Sequence, residues 1–420
     1  MELRLSNDEL AMLAGELGPA TRLAASILCR MAPMYGAASL LPVTSAHIDG
    51  VIYTGNSGLD FAEHLAALGA RVAVPTTLNA MSMDRQRWQE LGQEPAYANP
   101  ARRLGEAYVR MGAQPTFTCA PYQNGHVPAF GAQIAWSESN AVAFANSVLG
   151  ARTNRYGDYL DICCAITGRV PAAGLHLDEH RHATTLLTLR GVPDALQRRD
   201  DVYPVLGYAL GERAPGEVAA IAGITAQPSI DQLKSLAAAA ASSGDTALFH
   251  LIGITPEAPS EAAALGNRPP LRSLDLTLED LRHARAALTS ATGDAVDVVA
   301  FGSPHCSLAE ARALATLMQG RRTHESVQVF ITTSRAVRDL LRASGDLATL
   351  EAFGAQVTAD TCIVVAPLVK PGARVLMTNS AKYAHYGPGL LGVGSVFGAT
   401  EECVESAVQG RVVRDEGAWN

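Results

Sequence analysis

The chain has 420 residues and a formal charge of −8, which argues against a nucleic-acid-binding surface. With 48% hydrophobic and 18% charged residues, it has enough apolar material for a folded core and lacks the composition of a disordered protein. Its seven cysteines are odd in number and irregularly spaced, unlike a secreted disulfide framework. Because the sequence has neither an apolar run long enough to span a bilayer nor a secretory signal pattern, we expect a cytoplasmic protein that binds no membrane.

The first half of the chain is predicted to alternate helices with short extended segments. A capping box from Ser6 to Glu9 predicts the start of the first helix. Between residues 157 and 228 the pattern is mixed, and the apolar run 203–210 fits either a strand or a helix. Further helices are predicted at 19–34, 59–68 and 101–111, and extended segments at 41–52, 71–75 and 114–118.

The last third of the sequence shows the clearest pattern. A helix at 229–241 and a buried strand at 246–254 precede a stretch, 255–275, that predicts a possible domain boundary. Alternating strands and helices then predict an α/β fold with mostly parallel sheets flanked by helices, organised as two or three subdomains within residues 1–420. The helices predicted there are 278–288, 307–318, 335–342 and 347–353, and the strands are 296–301, 327–332, 362–365 and 374–378.

Polar residues follow four of the predicted strands. Ligands of parallel α/β sheets bind beyond the carboxyl ends of the strands, so these residues are predicted to form a site. The stretches concerned are 75–79, 119–122, 302–307 and 379–383.

Three cysteines near strand ends or turns are candidate metal ligands: Cys119, Cys306 and Cys362. Thiolates from three separate loops can hold an iron–sulfur cluster or a single metal ion. Unpaired cysteines are also common as small buried hydrophobic residues, and without a CxxC motif the spacing alone favours that second interpretation. Core positions are predicted for the other four, Cys29, Cys163, Cys164 and Cys403.

Lys382 is the most notable cation, because its loop contains few other charges. It fits a residue that binds a carboxylate or acts as a base, and it fits a surface lysine equally well. His47, His305 and His385 each lie near Gly, Pro or Ser, a setting more typical of a surface or hydrogen-bonded histidine than of a ligand or base.

The segment 131–155 places Glu138, Ser139 and Asn140 among small apolar residues. Buried polar groups cost free energy unless they are paired, so this pattern predicts side chains directed at a ligand. The turn 55–58, just before a predicted helix, fits either an anion-binding loop or an ordinary turn.

Eight segments, within a likeness that extends from about residue 4 to residue 410, carry a recognisable pattern. They are SAHIDG (45–50), VPTTLN (74–79), TCAPY (118–122), AWSESNAV (135–142), ANSVLGARTNR (145–155), GSPH (302–305), ADTC (359–362) and NSAKY (379–383). Together they resemble the large, catalytic part of aconitase X, a branch of the aconitase superfamily.

The resemblance implies a hydro-lyase with an iron–sulfur cluster, or iron, held by three cysteines. Cys119 and Cys362 match two of the ligands. In some relatives the third cysteine precedes Pro-His, where this chain has Ser303; here a cysteine follows Pro-His, and Cys306 is the expected third ligand.

The resemblance also assigns a pocket. The expected catalytic residues are Glu138 and Ser139, which would move the proton, and Lys382, which would grip the substrate carboxylate. The expected substrate-binding residues are Gly55, Asn56, Ser57, Thr77, Asn79 and His305.

Members of the family dehydrate cis-3-hydroxy-L-proline to Δ1-pyrroline-2-carboxylate in bacteria and mevalonate 5-phosphate in archaea. The first reaction is the expected function, with a phosphomevalonate dehydratase large subunit or a non-catalytic iron–sulfur or ligand-binding protein as alternatives. The family also has a small swivelling domain, fused or separate. It is not expected within these 420 residues, so a separate small subunit is the expected partner.

Overall fold

The computed structural model describes residues 3–419 and divides the chain into two units, Met1–His182 and Ala183–Asn420. The stretch 255–275, where the composition predicts a boundary, lies inside the second unit. Both units combine helices with parallel sheets, so the predicted α/β fold with parallel sheets flanked by helices is confirmed. Among residues 3–419, every helix is too short or too polar to cross a bilayer.

The first unit is built from helices around two small sheets. The predicted capping box is confirmed: the Ser6 amide donates to Glu9 Oε2 at 2.8 Å, and the Ser6 hydroxyl accepts from the Glu9 amide. The helices are α1 (Asn7–Ala14), α2 (Pro19–Met31), α3 (Asn56–Ala67), α4 (Pro95–Arg110), α5 (Ser139–Ser147) and α6 (Leu160–Thr167). The strands are β1 (Leu40–Pro42), β2 (Ala46–Ile48), β3 (Thr76–Leu78), β4 (Ala135–Trp136) and β5 (Arg169–Pro171).

Strand β2 is the centre of the sheet that carries the candidate site of the first unit. The strand order is β3-β2-β4, with both pairs parallel, and His47 is in register with Thr77 on one side and Trp136 on the other. Strands β1 and β5 pair antiparallel in a separate sheet. Because β2, β3 and β4 run in the same direction, the residues that follow them emerge at one edge.

The second unit contains two parallel sheets, with strand orders β8-β7-β6-β9 and β12-β11-β10-β13-β14. The strands are β6 (Thr185–Arg190), β7 (Ala219–Ala222), β8 (Phe249–Leu251), β9 (Arg272–Thr277), β10 (Val298–Cys306), β11 (Gln328–Thr333), β12 (Ala355–Ala359), β13 (Val375–Thr378) and β14 (Gly394–Phe397). The helices are α7 (Asp194–Gln197), α8 (Val202–Arg213), α9 (Ile230–Gly244), α10 (Glu261–Ala264), α11 (Leu278–Ala287), α12 (Leu308–Met318), α13 (Arg335–Ser344), α14 (Asp346–Phe353), α15 (Ala381–Tyr386) and α16 (Thr400–Gln409).

The structure resolves the ambiguous run 203–210 as part of helix α8. Every residue from Val202 to Gly211 is buried, so the sequence shows no polar face that would reveal a helical period. Helix α8 packs closely against α9: a Cβ added to Gly207 would lie 2.2 Å from the Leu236 carbonyl oxygen. A glycine is therefore required at this crossing.

Three predicted strands are wrong. Residues 114–118 form no strand and have only an isolated bridge between Gln114 and Thr77. Residues 71–75 are irregular, and the strand begins after Pro75, which has no amide hydrogen to donate to a ladder. Residues 362–365 form a turn, because the amides of Val365 and Ala366 both donate to the Cys362 carbonyl, at 3.2 and 3.1 Å. The strand that precedes Cys362 is β12, which ends three residues earlier, at Ala359.

Candidate active site

Buried polar groups lie at the ends of the three parallel strands of the first unit. His47 Nδ1 is 2.8 Å from the Thr77 hydroxyl, and the His47 ring lies against the Trp136 ring, with centroids 5.7 Å apart. Just beyond β3, Asn79 donates from Nδ2 to an Asp49 carboxylate oxygen and accepts from the Ala80 amide at 2.7 Å. Both Thr77 and Asn79, predicted to bind substrate, are therefore buried at this edge.

Glu138 and Ser139 lie where β4 leads into α5. Glu138 is the N-cap of α5, and its Oε2 accepts a 2.7 Å hydrogen bond from the Ala141 amide. The Ser139 hydroxyl donates to Glu138 Oε1 at 3.3 Å. A carboxylate at a helix N-terminus is stabilised as an anion by the cap hydrogen bond and by the helix dipole. The structure thus holds Glu138 and Ser139 as one buried, hydrogen-bonded pair.

Asn140 connects α5 to the loop that carries Cys119. Its Nδ2 donates to the Cys119 carbonyl at 3.2 Å and to the Tyr122 hydroxyl at 3.1 Å. Tyr122 stacks on Phe144 of the same helix, with ring centroids 3.8 Å apart. The structure therefore brings Cys119 close to the start of α5, next to the Glu138–Ser139 pair.

Gly55, Asn56 and Ser57 lie at the N-terminus of α3. Gly55 is the N-cap, with φ 140°, a conformation that favours glycine. The Asn56 side-chain oxygen, Oδ1, accepts from the Tyr53 hydroxyl at 2.9 Å, and the Ser57 hydroxyl accepts from the Tyr159 hydroxyl at 3.1 Å. These hydrogen bonds do not link the turn to Glu138 or to Asn79.

Four polar atoms around this edge are buried without a hydrogen-bond partner among residues 3–419: His47 Nε2, Trp136 Nε1, Ser137 Oγ and Asn140 Oδ1. Leaving a buried polar group unpaired costs roughly 1–3 kcal/mol, so a cluster of such atoms indicates a place where a ligand or water completes the bonding. Burial lowers the pKa of His47 to about 4, although Glu138 acts in the opposite direction, and the imidazole is neutral at physiological pH.

In the second unit, the predicted site residues lie at the carboxyl edge of the five-stranded sheet. His305, near the end of β10, approaches the Thr361 carbonyl with its Nε2 at 3.0 Å. Ser380, which follows β13, donates to the Ser303 carbonyl, and the Tyr383 hydroxyl lies 3.0 Å from the Thr332 hydroxyl at the end of β11. The end of β10 is therefore joined directly to the segments that follow β12 and β13, as the strand-end rule predicts.

Cys362 and Lys382 are neighbours in this arrangement. Burial raises the pKa of the Cys362 thiol, whereas the amides of Val364 and Val365, the Lys382 ammonium and the Tyr383 hydroxyl act to lower it. The effect of burial is the largest, so the pKa of the thiol stays above its usual value, while these neighbouring groups favour the thiolate.

Cys306 faces a different neighbour. His305 and Cys306 are consecutive in an extended strand, so their side chains point to opposite sides. Cys306 and Lys382 line a cavity of about 270 Å³. Burial acts to lower the pKa of the fully buried Lys234, but Glu310, Asp231 and then Cys306 act in the opposite direction and raise it above its usual value. Lys234 also lies 3.0 Å from an Asp231 carboxylate oxygen, so its charge is balanced by acidic groups.

Cys119 belongs to the first unit, and Cys306 and Cys362 belong to the second. Within neither unit do the described residues, 3–419, group three His, Cys, Asp or Glu side chains in a way that would hold a metal ion. All three thiols are buried.

Three family models match the chain in succession. They describe the first domain of aconitase X over residues 2–179, the second over 183–286 and the third over 296–409. The chain belongs to the aconitase X family.

Relatives within aconitase X are named as dehydratases. The cis-3-hydroxy-L-proline dehydratase of Pseudomonas aeruginosa is 52% identical over 99% of this chain and 72% of its own length. The enzyme of the same name from Hypocrea jecorina is 42% identical, over 98% of this chain and 69% of its own length. The phosphomevalonate dehydratase large subunit of Methanothermobacter thermautotrophicus is 40% identical, over 94% of this chain and 96% of its own length.

A crystal structure of Thermococcus kodakaraensis aconitase X in its holo form is also similar, with a TM-score of 0.85 and 34% identity over 96% of this chain and all of that one. The predictions of the family and of a hydro-lyase are therefore confirmed. The name "large subunit" implies that the phosphomevalonate dehydratase branch of aconitase X has a separate small subunit.

Several residues at these two edges were not singled out by the sequence. Trp136 and Ser137 precede Glu138 in the AWSESNAV segment, and both are buried in the structure. The signal available in the sequence was a tryptophan next to a run of polar residues. His47, within the predicted extended segment 41–52, was interpreted as a surface or hydrogen-bonded histidine because Ser and Gly lie near it in the sequence. Lys234 lies in an Ala-rich helix, and its partner Glu310 is 76 residues away in the sequence, so nothing local revealed the pair.

Proposed function

We propose that this chain dehydrates cis-3-hydroxy-L-proline to Δ1-pyrroline-2-carboxylate. The observation that carries the proposal is the 52% identity, over 99% of the chain, to a relative of that name. The reaction removes the Cα proton and the C3 hydroxyl as one molecule of water, and the resulting enamine becomes the cyclic imine by moving a proton from nitrogen to carbon. It requires a group that takes the Cα proton, an acid at the departing hydroxyl, and a cation for the carboxylate.

Glu138 and Ser139 are proposed to move the Cα proton. The support is their hydrogen bond of 3.3 Å, since a serine hydroxyl that donates to a carboxylate can pass a proton to it. The other carboxylate oxygen of Glu138 is fixed by the Ala141 amide, which orients the group. Lys382 is proposed to bind the substrate carboxylate through its ammonium group.

Cys119, Cys306 and Cys362 are proposed to hold iron, as an iron–sulfur cluster or as a single ion. Thiols fit this role chemically, and the hydrogen-bond donors around the Cys362 sulfur are of the kind that tune cluster ligands. When bound, iron with an open coordination position supplies a Lewis acid for the departing hydroxyl.

Six residues are proposed to form the substrate pocket. Thr77 and Asn79 are buried at the edge of the first-unit sheet, and His305 is buried beside the loop that carries Cys362. The turn at the start of α3 offers backbone amides that suit an anionic group. The full set is Gly55, Asn56, Ser57, Thr77, Asn79 and His305.

A separate small subunit is the proposed partner. The chain spans 96% of a relative named as a large subunit but 72% of the Pseudomonas relative, which is a longer chain. We expect the small subunit to be needed for full activity, as the names in the phosphomevalonate branch suggest.

A second candidate is phosphomevalonate dehydratase activity, favoured by the 40% identity to a large subunit of that enzyme. The deciding experiment co-expresses the chain with its small subunit and assays the purified complex on cis-3-hydroxy-L-proline and on mevalonate 5-phosphate. We expect water loss from the first compound. Turnover of mevalonate 5-phosphate alone would replace the proposed function with the second candidate, and iron content without turnover of either compound would favour a non-catalytic role.

A further inference from the structure

His47 occupies the middle of the central strand of the first-unit sheet and is completely buried. Its ring is held on two sides, by the Thr77 hydroxyl at 2.8 Å from Nδ1 and by the Trp136 ring at a centroid distance of 5.7 Å. The imidazole takes the place of an apolar side chain in the core. Its second nitrogen, Nε2, has no hydrogen-bond partner among residues 3–419. This side chain is therefore fixed in place with one polar atom unused.

The hydrogen bond at Nδ1 indicates which nitrogen carries the proton. The Thr77 hydroxyl donates to the Ala46 carbonyl at 3.4 Å, so its oxygen is left to accept from His47 Nδ1–H. In the neutral ring the proton is then on Nδ1, and Nε2 presents a lone pair. Burial keeps the ring neutral, with its pKa at about 4, so Nε2 is too weak a base to take a Cα proton at neutral pH.

An unused acceptor requires a donor. The Glu138 carboxylate lies close enough to His47 to act on its pKa, and Asn140 adds a second buried acceptor, Oδ1, with no partner among the residues described. Carboxylate and phosphate oxygens bring lone pairs of their own and no proton, so among the described residues they suit the unpaired Trp136 N–H but not the acceptors His47 Nε2 and Asn140 Oδ1. The protonated ring nitrogen of an imino acid carries two N–H donors and a positive charge, and it suits them well.

We propose that His47 contacts the substrate, with Nε2 accepting a hydrogen bond from the ring N–H of an imino acid. This role rests on the proposed function and deepens it, because it makes the ring nitrogen a recognised group. His47 is then a specificity-determining residue, and Thr77 is the positioning residue that keeps the Nε2 lone pair free of a proton.

The test measures binding of two unreactive ligands, L-proline and (S)-tetrahydrofuran-2-carboxylate, in which oxygen replaces the ring N–H. Titration calorimetry uses the full chain together with its small subunit. His47→Asn retains an amide near the Nδ1 position, opposite Thr77, but lacks Nε2. We expect it to weaken proline binding by about 10- to 100-fold and to leave binding of the oxygen analogue unchanged.

His176→Asn is the matched control. His176 is also a buried histidine of the first unit, but both of its nitrogens have partners, the Tyr156 hydroxyl at 2.6 Å and Gln133 Oε1 at 2.5 Å. We expect this variant to lower the melting temperature without changing the ratio of the two affinities. If His47→Asn does not fold, Thr77→Val is measured instead: without the Thr77 oxygen the proton can move to Nε2, so proline should bind more weakly and the oxygen analogue more tightly.

Equal weakening of both ligands by His47→Asn, or no change for either, would overturn the role of His47. For Thr77→Val, parallel changes in the two affinities would do the same. If the wild-type complex dehydrates cis-3-hydroxy-L-proline while the variants give these results, only this inference fails. If the wild type neither dehydrates that compound nor binds proline, the proposed function fails and this inference fails with it.

Discussion

Replacing Glu138 by glutamine separates its structural role from its proposed chemical one. As the N-cap of α5, Glu138 stabilises the helix through its hydrogen bond to the Ala141 amide and through its charge at the positive end of the helix. Glutamine keeps an oxygen that accepts from this amide and loses only the charge. The free energy of unfolding should therefore fall by about 0.3–1 kcal/mol, and the melting temperature should fall only slightly.

Turnover should respond very differently. If Glu138 and Ser139 move the Cα proton, a neutral amide cannot accept it, and the rate should fall by about 10²- to 10⁴-fold. Because Glu138 is not one of the proposed iron ligands, iron content should stay at the wild-type level. The assay combines steady-state turnover of cis-3-hydroxy-L-proline, thermal melting and iron analysis on the same preparation.

Ser6→Ala is the control for a simple capping effect. Ser6 caps α1 in the same unit through a reciprocal pair of hydrogen bonds with Glu9, so its loss should cost about 1 kcal/mol and leave turnover intact. Wild-type turnover in Glu138→Gln would refute the assignment of Glu138 to proton transfer. A loss of stability much larger than that of Ser6→Ala would show instead that the residue acts on the fold.

Four further predictions address the rest of the chain. Cys362→Ser should lose iron and turnover together, which metal analysis and the dehydration assay can check, and full iron content would remove Cys362 from the ligand set. Lys382→Ala should keep iron but raise KM for the substrate by roughly 10-fold or more in steady-state kinetics, because the substrate carboxylate loses its cation. Gly207→Ala should lower the free energy of unfolding by about 1–3 kcal/mol in denaturant titrations, because the new methyl group meets the Leu236 carbonyl at 2.2 Å. As the pH falls from about 6.5 to 4, buried neutral His47 should cost the protein up to roughly 3 kcal/mol of stability, since the unfolded chain binds the proton more readily; His47→Asn should remove this part of the pH dependence.

The sequence predicted the second-unit edge better than the first, and the reason is strand length. The apolar runs at 296–301 and 374–378 are distinct enough to mark the strands that lead to His305 and Lys382. The structure extends β10 through Cys306, however, and places Lys382 in helix α15. Cys362 was assigned to the start of a strand, whereas it follows β12 and begins a turn. Its position after a strand was therefore not predicted, and its proposed role as a ligand rests on the resemblance to aconitase X.

The first-unit edge could not be derived from periodicity. Strands β2, β3 and β4 have two or three residues each, too few for an alternating pattern, and all of these residues are buried. The polar pattern of segment 131–155 supplied Glu138, and the resemblance to aconitase X supplied Thr77. Neither supplied His47, whose proposed role depends on one ring nitrogen with a partner and one without a partner among residues 3–419. That property can be recognised only when the structure shows which groups surround the ring.

The two units differ in the chemistry they offer. The first unit has buried acceptors at one edge of a sheet, in His47, Glu138 and Asn140, whereas the second has the Lys382 ammonium beside a buried thiol. An imino acid carries a protonated ring nitrogen with two N–H donors, which suits buried acceptors, whereas a phosphorylated hydroxy acid has no cationic nitrogen. The acceptors His47 Nε2 and Asn140 Oδ1, unpaired within the described part of the chain, are therefore a reason, independent of sequence identity, to favour the imino acid in the proposed function.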